Sequence, residues 1–122
     1  MDYDIRELER ELNRRNQKNF IFELLNQNSF NEERFYKFIR SIAEYVDNYS
    51  ALQHLSAEEY FGYMNEIIKI CEDILWAFTR HYMDEDDYII ENFNQIKDNL
   101  TQYYMYIKEY SESVCLMSRV KD

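Results

Sequence analysis

A chain of 122 residues predicts a single domain spanning 1–122. One glycine and no proline exclude a sheet-rich fold, because turns between strands draw on both residues, and they exclude a glycine-rich phosphate or dinucleotide loop. A formal net charge of −10 argues against nucleic acid and anionic membranes as direct partners, since like charges repel.

The chain begins with two stretches of helical periodicity. Ile5, Leu8 and Leu12 recur on one face and predict a first helix over about residues 2–15. After a polar gap, the apolar residues at 20–25 predict either a separate short helix or a continuation of the first one.

Two capping-box spacings mark the next helix starts. Ser29 with Glu32, and Ser56 with Glu59, have the S-x-x-E pattern, in which a hydroxyl and a carboxylate satisfy free backbone N–H groups. The apolar stripes that follow recur every three to four residues. They predict a second helix of about 20 residues and a third helix over about 57–82.

The third predicted helix contains two unusual residues. Gly62 lies in its interior, where glycine is about 1 kcal/mol less favourable than alanine, and a close crossing of another helix would offset that loss. Trp76 falls on the charged side of the helix. It is therefore either an exposed anchor for a partner or a core residue covered by the first helix or by the segment at 20–25.

The acidic run at 83–92, MDEDDYIIEN, is predicted to begin the fourth helix. Asp84 is placed to cap it, and Asp87 falls in the first turn, where the partial positive charge of a helix favours carboxylates. Glu85 and Asp86 are less constrained and are expected on the solvated surface.

The fold class predicted from these elements is all-α, an antiparallel bundle of four to five helices with a long C-terminal helix. A fourth helix continuous to about residue 118 would be roughly 50 Å long, whereas the second would span about 30 Å. Either the first helix or a second copy of the chain must then cover the distal apolar residues, and the second choice predicts a homodimer. These residues are Ile107, Tyr110, Val114 and Met117.

No pattern of catalytic or metal-binding residues stands out. Neither His54 nor His81 has a glutamate three residues before it, as in helical di-metal sites, and Cys71 and Cys115 have no metal spacing. The acidic run lacks the glycine and the later glutamate of a calcium loop. We therefore expect no enzymatic activity and no cofactor. Without a signal peptide or an apolar stretch of about 18 residues, we expect a cytoplasmic protein.

Acidic and aromatic side chains of the fourth predicted helix indicate a protein-binding surface. On a helical projection, five carboxylates gather opposite the apolar stripe, with only Lys108 near them: Asp87, Glu91, Asp98, Glu109 and Glu112. Three tyrosines follow one edge of the stripe, and tyrosine offers a large contact area with a polar tip. The alternatives are a solvated outer face and a tyrosine-rich rim of the core. The predicted partner-binding residues are Trp76, Asp86, Asp87, Tyr88, Glu91, Asp98, Tyr106 and Tyr110.

These features favour a small cytosolic inhibitor that binds and neutralises a basic protein, such as a toxin or a nuclease. Toxin-neutralising immunity proteins, antitoxins and phage inhibitors of host nucleases, such as anti-CRISPR proteins, are commonly small, and many are acidic. The chain shares size, charge and predicted helicity with them but no motif. One alternative is a homo-oligomeric helical scaffold or adaptor subunit without enzymatic activity. Another is a helical protein that binds a small ligand.

Overall fold

The computed structural model describes residues 3–48, 52 and 55–121, with side chains described as far as residue 117. This part of the chain is helical and contains no strand, which confirms the all-α prediction. The helices are α1 (Arg6–Glu11), α2 (Phe20–Asn26), α3 (Glu32–Asp47), α4 (Ala57–His81), the single turn α5 (Phe93–Ile96) and α6 (Leu100–Lys121). A 3-10 turn, Lys97–Asn99, joins α5 to α6.

The first two helices are separate and short, which decides between the two alternatives for the segment at 20–25. The buried side-chain amide of Asn19 donates hydrogen bonds to the carbonyls of Arg10 and Asn13, so it closes the end of α1 and fixes the entry to α2. The predicted helix over 2–15 is therefore too long, because the chain turns after Glu11.

Only one of the two predicted capping boxes forms. At the start of α4, Ser56 and Glu59 each accept a backbone N–H of the other, at 3.0 and 3.1 Å, which confirms the second box. The first box is wrong. The cap of α3 is Asn31, whose side chain accepts the backbone N–H of Arg34, and the Glu32 carboxylate instead accepts the hydroxyl of Tyr103 on α6.

The predicted start of the fourth helix at Asp84 is also wrong. Residues 82–92 are not helical, and the helical segment begins at Phe93. Tyr88 and Ile90 are buried while Ile89 between them is exposed. That alternation has a period of two, which an extended chain gives and a helix does not.

The core lies where α6 packs on α4 and beside α3. Ile68 lies near Cys115, while Phe78 and Tyr103 both contact Phe30, so α6 runs antiparallel to α4. Ile107, Val114 and Met117 are almost fully buried within the chain, and Tyr110 is half-buried. The expectation that these distal residues lack cover was wrong because α4, with 25 residues, is about 37 Å long and extends beside them. The burial of these residues within one chain therefore removes the reason for predicting a homodimer.

Gly62 lies in α4 with open space around it. A Cβ atom built there would meet nothing within 4 Å, so the expected close helix crossing is absent. We predict that Gly62→Ala raises the free energy of unfolding by about 1 kcal/mol, because alanine favours the helix and meets no obstacle. Urea denaturation followed by circular dichroism measures this. The control is Glu72→Gln, an exposed exchange on the same helix between residues of similar helix propensity. An unchanged or lower midpoint for Gly62→Ala would contradict the prediction.

None of the helices in the described ranges combines the length and the apolar character needed to cross a bilayer.

Candidate protein-binding site

Residues 82–92, here called the acidic loop, join α4 to α5 and present carboxylates beside apolar side chains. Four acidic residues of the loop are exposed, namely Asp84, Glu85, Asp87 and Glu91. Three large apolar residues of the same loop are also exposed: Tyr82 at 65%, Met83 at 40% and Ile89 at 53%. Exposed aromatic and aliphatic side chains are common anchors of protein-binding surfaces, and polar groups such as these carboxylates belong to the rim around them.

The first half of the loop is held by a pair of charges. The Arg80 guanidinium donates to both carboxylate oxygens of Asp86, at 2.8 and 2.9 Å, and it lies over the ring of Tyr88 at 4.6 Å. The backbone N–H of Tyr88 donates to the same carboxylate at 2.9 Å. Bidentate pairs fix orientation as well as charge, so Asp86 has a structural role inside the loop. Its expected place on the solvated surface was wrong, because the carboxylate is held by Arg80 and the Tyr88 N–H.

The second half of the loop is hydrogen-bonded to the last turn of α2 and to the turn that follows it. The Tyr88 hydroxyl donates to the carbonyl of Leu24, and the Glu91 N–H donates to the carbonyl of Asn28 at 2.7 Å. Asn28 has a φ of 56°, a left-handed conformation that asparagine tolerates better than most residues. The backbone of the loop is therefore paired with a segment that is distant in the sequence.

His81 supports the loop from the end of α4. Its Nδ1 accepts the backbone N–H of Ile90 at 3.0 Å, and its ring stacks on Phe93 with 4.0 Å between centroids. Tyr82 packs edge-on against the same phenylalanine at 5.3 Å. His81 is partly exposed, and its contacts give it a structural role.

Asn92 closes the end of the loop. Its side-chain amide accepts the backbone N–H of Phe30 at 2.9 Å and donates to the Phe30 carbonyl at 2.7 Å. The Asn92 amide thus makes the same two hydrogen bonds with Phe30 that the backbone of a neighbouring β-strand would make. With both ends and the middle bonded, the exposed side chains of the acidic loop are presented on an ordered backbone.

The ion pair with Arg80 holds the pKa of the Asp86 carboxyl below its usual range, through the hydrogen bonds from the guanidinium first and the Tyr88 N–H second. Because the pKa is lower in the folded chain, the pair stabilises the fold above about pH 4, and this contribution is lost as the pH falls through the lowered value. We predict that Arg80→Gln raises the Asp86 pKa in a carbon-detected titration. An identical midpoint in both proteins would contradict the pairing.

The residues predicted to bind a partner lie in different surroundings. Asp87 and Glu91 are exposed in the acidic loop, and Asp98 is exposed in the 3-10 turn. Trp76 is 52% exposed on α4, so neither the first helix nor the segment at 20–25 covers it. It lies one helical turn before Arg80, on the same side of α4, and so continues toward the acidic loop.

The three tyrosines are not on a common exposed edge. Tyr88 is a core residue with 6% exposure, so its placement on an exposed helix edge was wrong. Tyr106 is half-buried beside Tyr36 of α3, with 5.8 Å between ring centroids. Tyr110 is half-buried as well, and burial raises its pKa. Tyr106 and Tyr110 therefore lie on a rim of the core, which is the alternative left open by the sequence, whereas Tyr88 lies within the core.

The predicted acidic face of one long helix is also corrected. Asp98, Glu109 and Glu112 are exposed along the 3-10 turn and α6, but Asp87 and Glu91 belong to the loop and share no helical register with them. The helix projection failed there because it assumed a helix from residue 84.

Sequence reasoning missed the apolar part of this surface. Helical periodicity places Tyr82 on the core-facing stripe of the third predicted helix and Ile89 on that of the fourth, yet both are exposed. The signal that could have revealed the loop is the alternation of residues 88–91, which fits an extended segment with Ile89 and Glu91 on the solvent side.

No group of three or more histidine, cysteine, aspartate or glutamate residues could hold a metal ion within the described residues. His54 lies outside them. Cys71 is buried, and burial raises the pKa of its thiol to about 12, so this thiol stays protonated and unreactive at neutral pH. Cys115 is partly exposed beside Ile68 and Leu116.

Comparisons with known proteins found no relative of this chain. No family model matches the chain, no curated protein is similar to it in sequence, and no solved structure matches it. The function is therefore inferred from the chemistry of the chain's own surface.

Proposed function

We propose that this chain is a small acidic inhibitor that binds and neutralises a basic protein, and that the acidic loop makes the main contact. One observation carries the proposal: four exposed carboxylates and three exposed apolar side chains share a loop whose backbone is fastened at both ends and in the middle. An ordered loop loses little conformational entropy on binding, so more of its contact energy appears as affinity.

The two kinds of side chain have different roles in this proposal. The carboxylates attract a basic surface from a distance and raise the association rate, and salt screens this attraction. Ile89, Met83 and Tyr82 bury apolar area after encounter and slow dissociation. Trp76, one helical turn from Arg80, extends the apolar contact along α4.

Neutralisation follows from the chemistry of the partner's surface. Toxins and nucleases that act on nucleic acid bind phosphates with lysine and arginine side chains. A loop of carboxylates pairs with those same cations and covers them. The specific classes that fit are an immunity protein, an antitoxin or a phage-encoded inhibitor of a host nuclease of the anti-CRISPR kind.

The test is capture from an extract of the source organism with three immobilised proteins. One is the wild type, and one carries Asp84→Asn, Glu85→Gln, Asp87→Asn and Glu91→Gln. The matched control carries Glu58→Gln, Glu72→Gln, Glu109→Gln and Glu112→Gln, which remove the same charge from exposed positions outside the loop.

We expect a basic protein to be retained by the wild type and by the control, to be released by added salt, and to be lost with the loop variant. Adding the chain to the captured protein should then block that protein's activity. Equal capture by all three proteins would reject the loop as the binding site, and capture without loss of activity would reject inhibition. Recovery of the chain's own copies alone would favour the scaffold alternative.

A further inference from the structure

A second feature of the surface is a groove between α1 and the first half of α4, with a volume of about 440 Å³. Its apolar lining consists of Leu12, Gly62 and the ring of Tyr63, and Asn13 lies beside them. Three carboxylates also line it, namely Glu9 on α1 and Glu59 and Glu66 on α4. Glu59 accepts the Ser56 N–H in the helix cap and Glu9 bonds with the Tyr63 side chain, so Glu66 is the carboxylate best placed for an outside cation. The groove lies about 30 Å along α4 from the acidic loop, so it is a separate surface.

Gly62 is the only glycine of the chain, and it opens this groove. Glycine in a helix interior is less stable than alanine. Packing within the described part of the chain does not force this position to be glycine, because a Cβ here would meet nothing within 4 Å. A longer side chain there would instead extend into the groove, so the glycine keeps open a space that the chain itself does not fill.

An ion pair on the same face of α4 indicates which kind of group this groove can bind. Residues 59, 66 and 73 of α4 are seven apart and share one face of the helix. At the last of them, the Arg14 guanidinium, which follows α1, pairs with the Asp73 carboxylate at 2.6 Å. Two turns earlier, the Glu66 carboxylate lies 4.0 Å from the Lys69 ammonium, and both side chains are well exposed. The same face of α4 therefore accepts a guanidinium at Asp73 and presents a loosely paired carboxylate at the groove.

We propose that the groove floored by Gly62 binds a basic side chain, an arginine or a lysine, of a partner protein. The Glu66 carboxylate pairs with the cationic head, the charges of Glu9 and Glu59 add to the attraction, and Leu12 and the Tyr63 ring contact the methylene stem. Charge complementarity indicates the ligand. Lysine and arginine side chains are apolar along their length and positive at their end, which matches an apolar groove lined by carboxylates. This contact is independent of the acidic loop.

The test is a titration of the ¹⁵N-labelled chain with N-acetyl-L-arginine amide, with the citrulline analogue as a neutral control of the same shape. We expect the backbone signals of Leu12, Asn13 and Gly62 to move saturably with the arginine probe and to stay in place with citrulline. Gly62→Leu, a good helix former that fills the groove, should abolish the response. Glu66→Gln should weaken binding by about two- to fivefold, whereas Glu58→Gln outside the groove should not.

Three results would overturn this assignment: no saturable movement at these signals, an equal response to citrulline, or undiminished binding by a folded Gly62→Leu variant. Signals that move with the concentration of the chain, and not with the probe, would place a second copy in the groove and also overturn it. The variant with four neutralised loop acids should bind the arginine probe as the wild type does. That arm separates a failure here from a failure of the proposed function.

Discussion

Replacing Ile107 with glutamate is expected to unfold the chain. Ile107 is 2% exposed near the centre of α6, where it is covered by the chain's own helices. A carboxylate buried there without a partner costs several kcal/mol, which is a large part of the roughly 5–15 kcal/mol that stabilises a typical domain. Circular dichroism and a thermal melt of the purified protein measure the effect.

Met105→Glu is the matched control, because it adds the same charge on the same helix at a position that is 55% exposed. It should change stability by no more than about 0.5 kcal/mol. A folded Ile107→Glu protein that sediments as a monomer beside a dimeric wild type would contradict the packing of α6. That result would support a homodimer in which a second copy of the chain covers Ile107.

The second large effect is expected at Asn92, which joins the end of the acidic loop to Phe30. Asn92→Ala leaves both the N–H and the carbonyl of Phe30 without their partner. Leaving a buried backbone group unsatisfied costs about 1–3 kcal/mol, so we expect a loss of roughly 2–6 kcal/mol from the two together. Urea denaturation measures the loss, and Asn94→Ala, at an exposed position on α5, is the control.

Amide hydrogen exchange distinguishes a local effect of Asn92→Ala from a global one. If Asn92 orders the loop, the N–H groups of Ile90 and Glu91 should exchange faster in the variant by a larger factor than those in the middle of α4. Uniform acceleration would show a general loss of stability, and unchanged exchange in the loop would contradict its role as the anchor.

Sequence patterns located the helices where local signals agreed with packing. The Ser56 box and the stripe after it predicted α4 to within one residue at each end, because cap, periodicity and burial all point the same way there. Ser29 has the same spacing to an acid, but the Glu32 carboxylate bonds with Tyr103, which is 71 residues away on α6. A capping pattern cannot show that a distant hydroxyl competes for its carboxylate.

The candidate site was predictable in its charge and not in its shape. The exposed Asp87 and Glu91 follow from composition, since carboxylates rarely lie in a core without partners. The loop conformation depends on bonds to Leu24, Asn28 and Phe30, which lie far earlier in the sequence and carry no local signal. For the same reason the burial of Tyr88 and the exposure of Ile89 were assigned the wrong way round.

The measurement that tests the binding role of the acidic loop most directly is photo-crosslinking from within it. Benzoylphenylalanine in place of Ile89, which is 53% exposed among the loop carboxylates, samples whatever touches the loop in the living source organism. The same group in place of Met105, exposed on α6, is the control. We predict a cross-link from position 89 to one basic protein, lost at high salt in an extract, and none from position 105. An acidic partner, or cross-links from position 105 alone, would contradict the account.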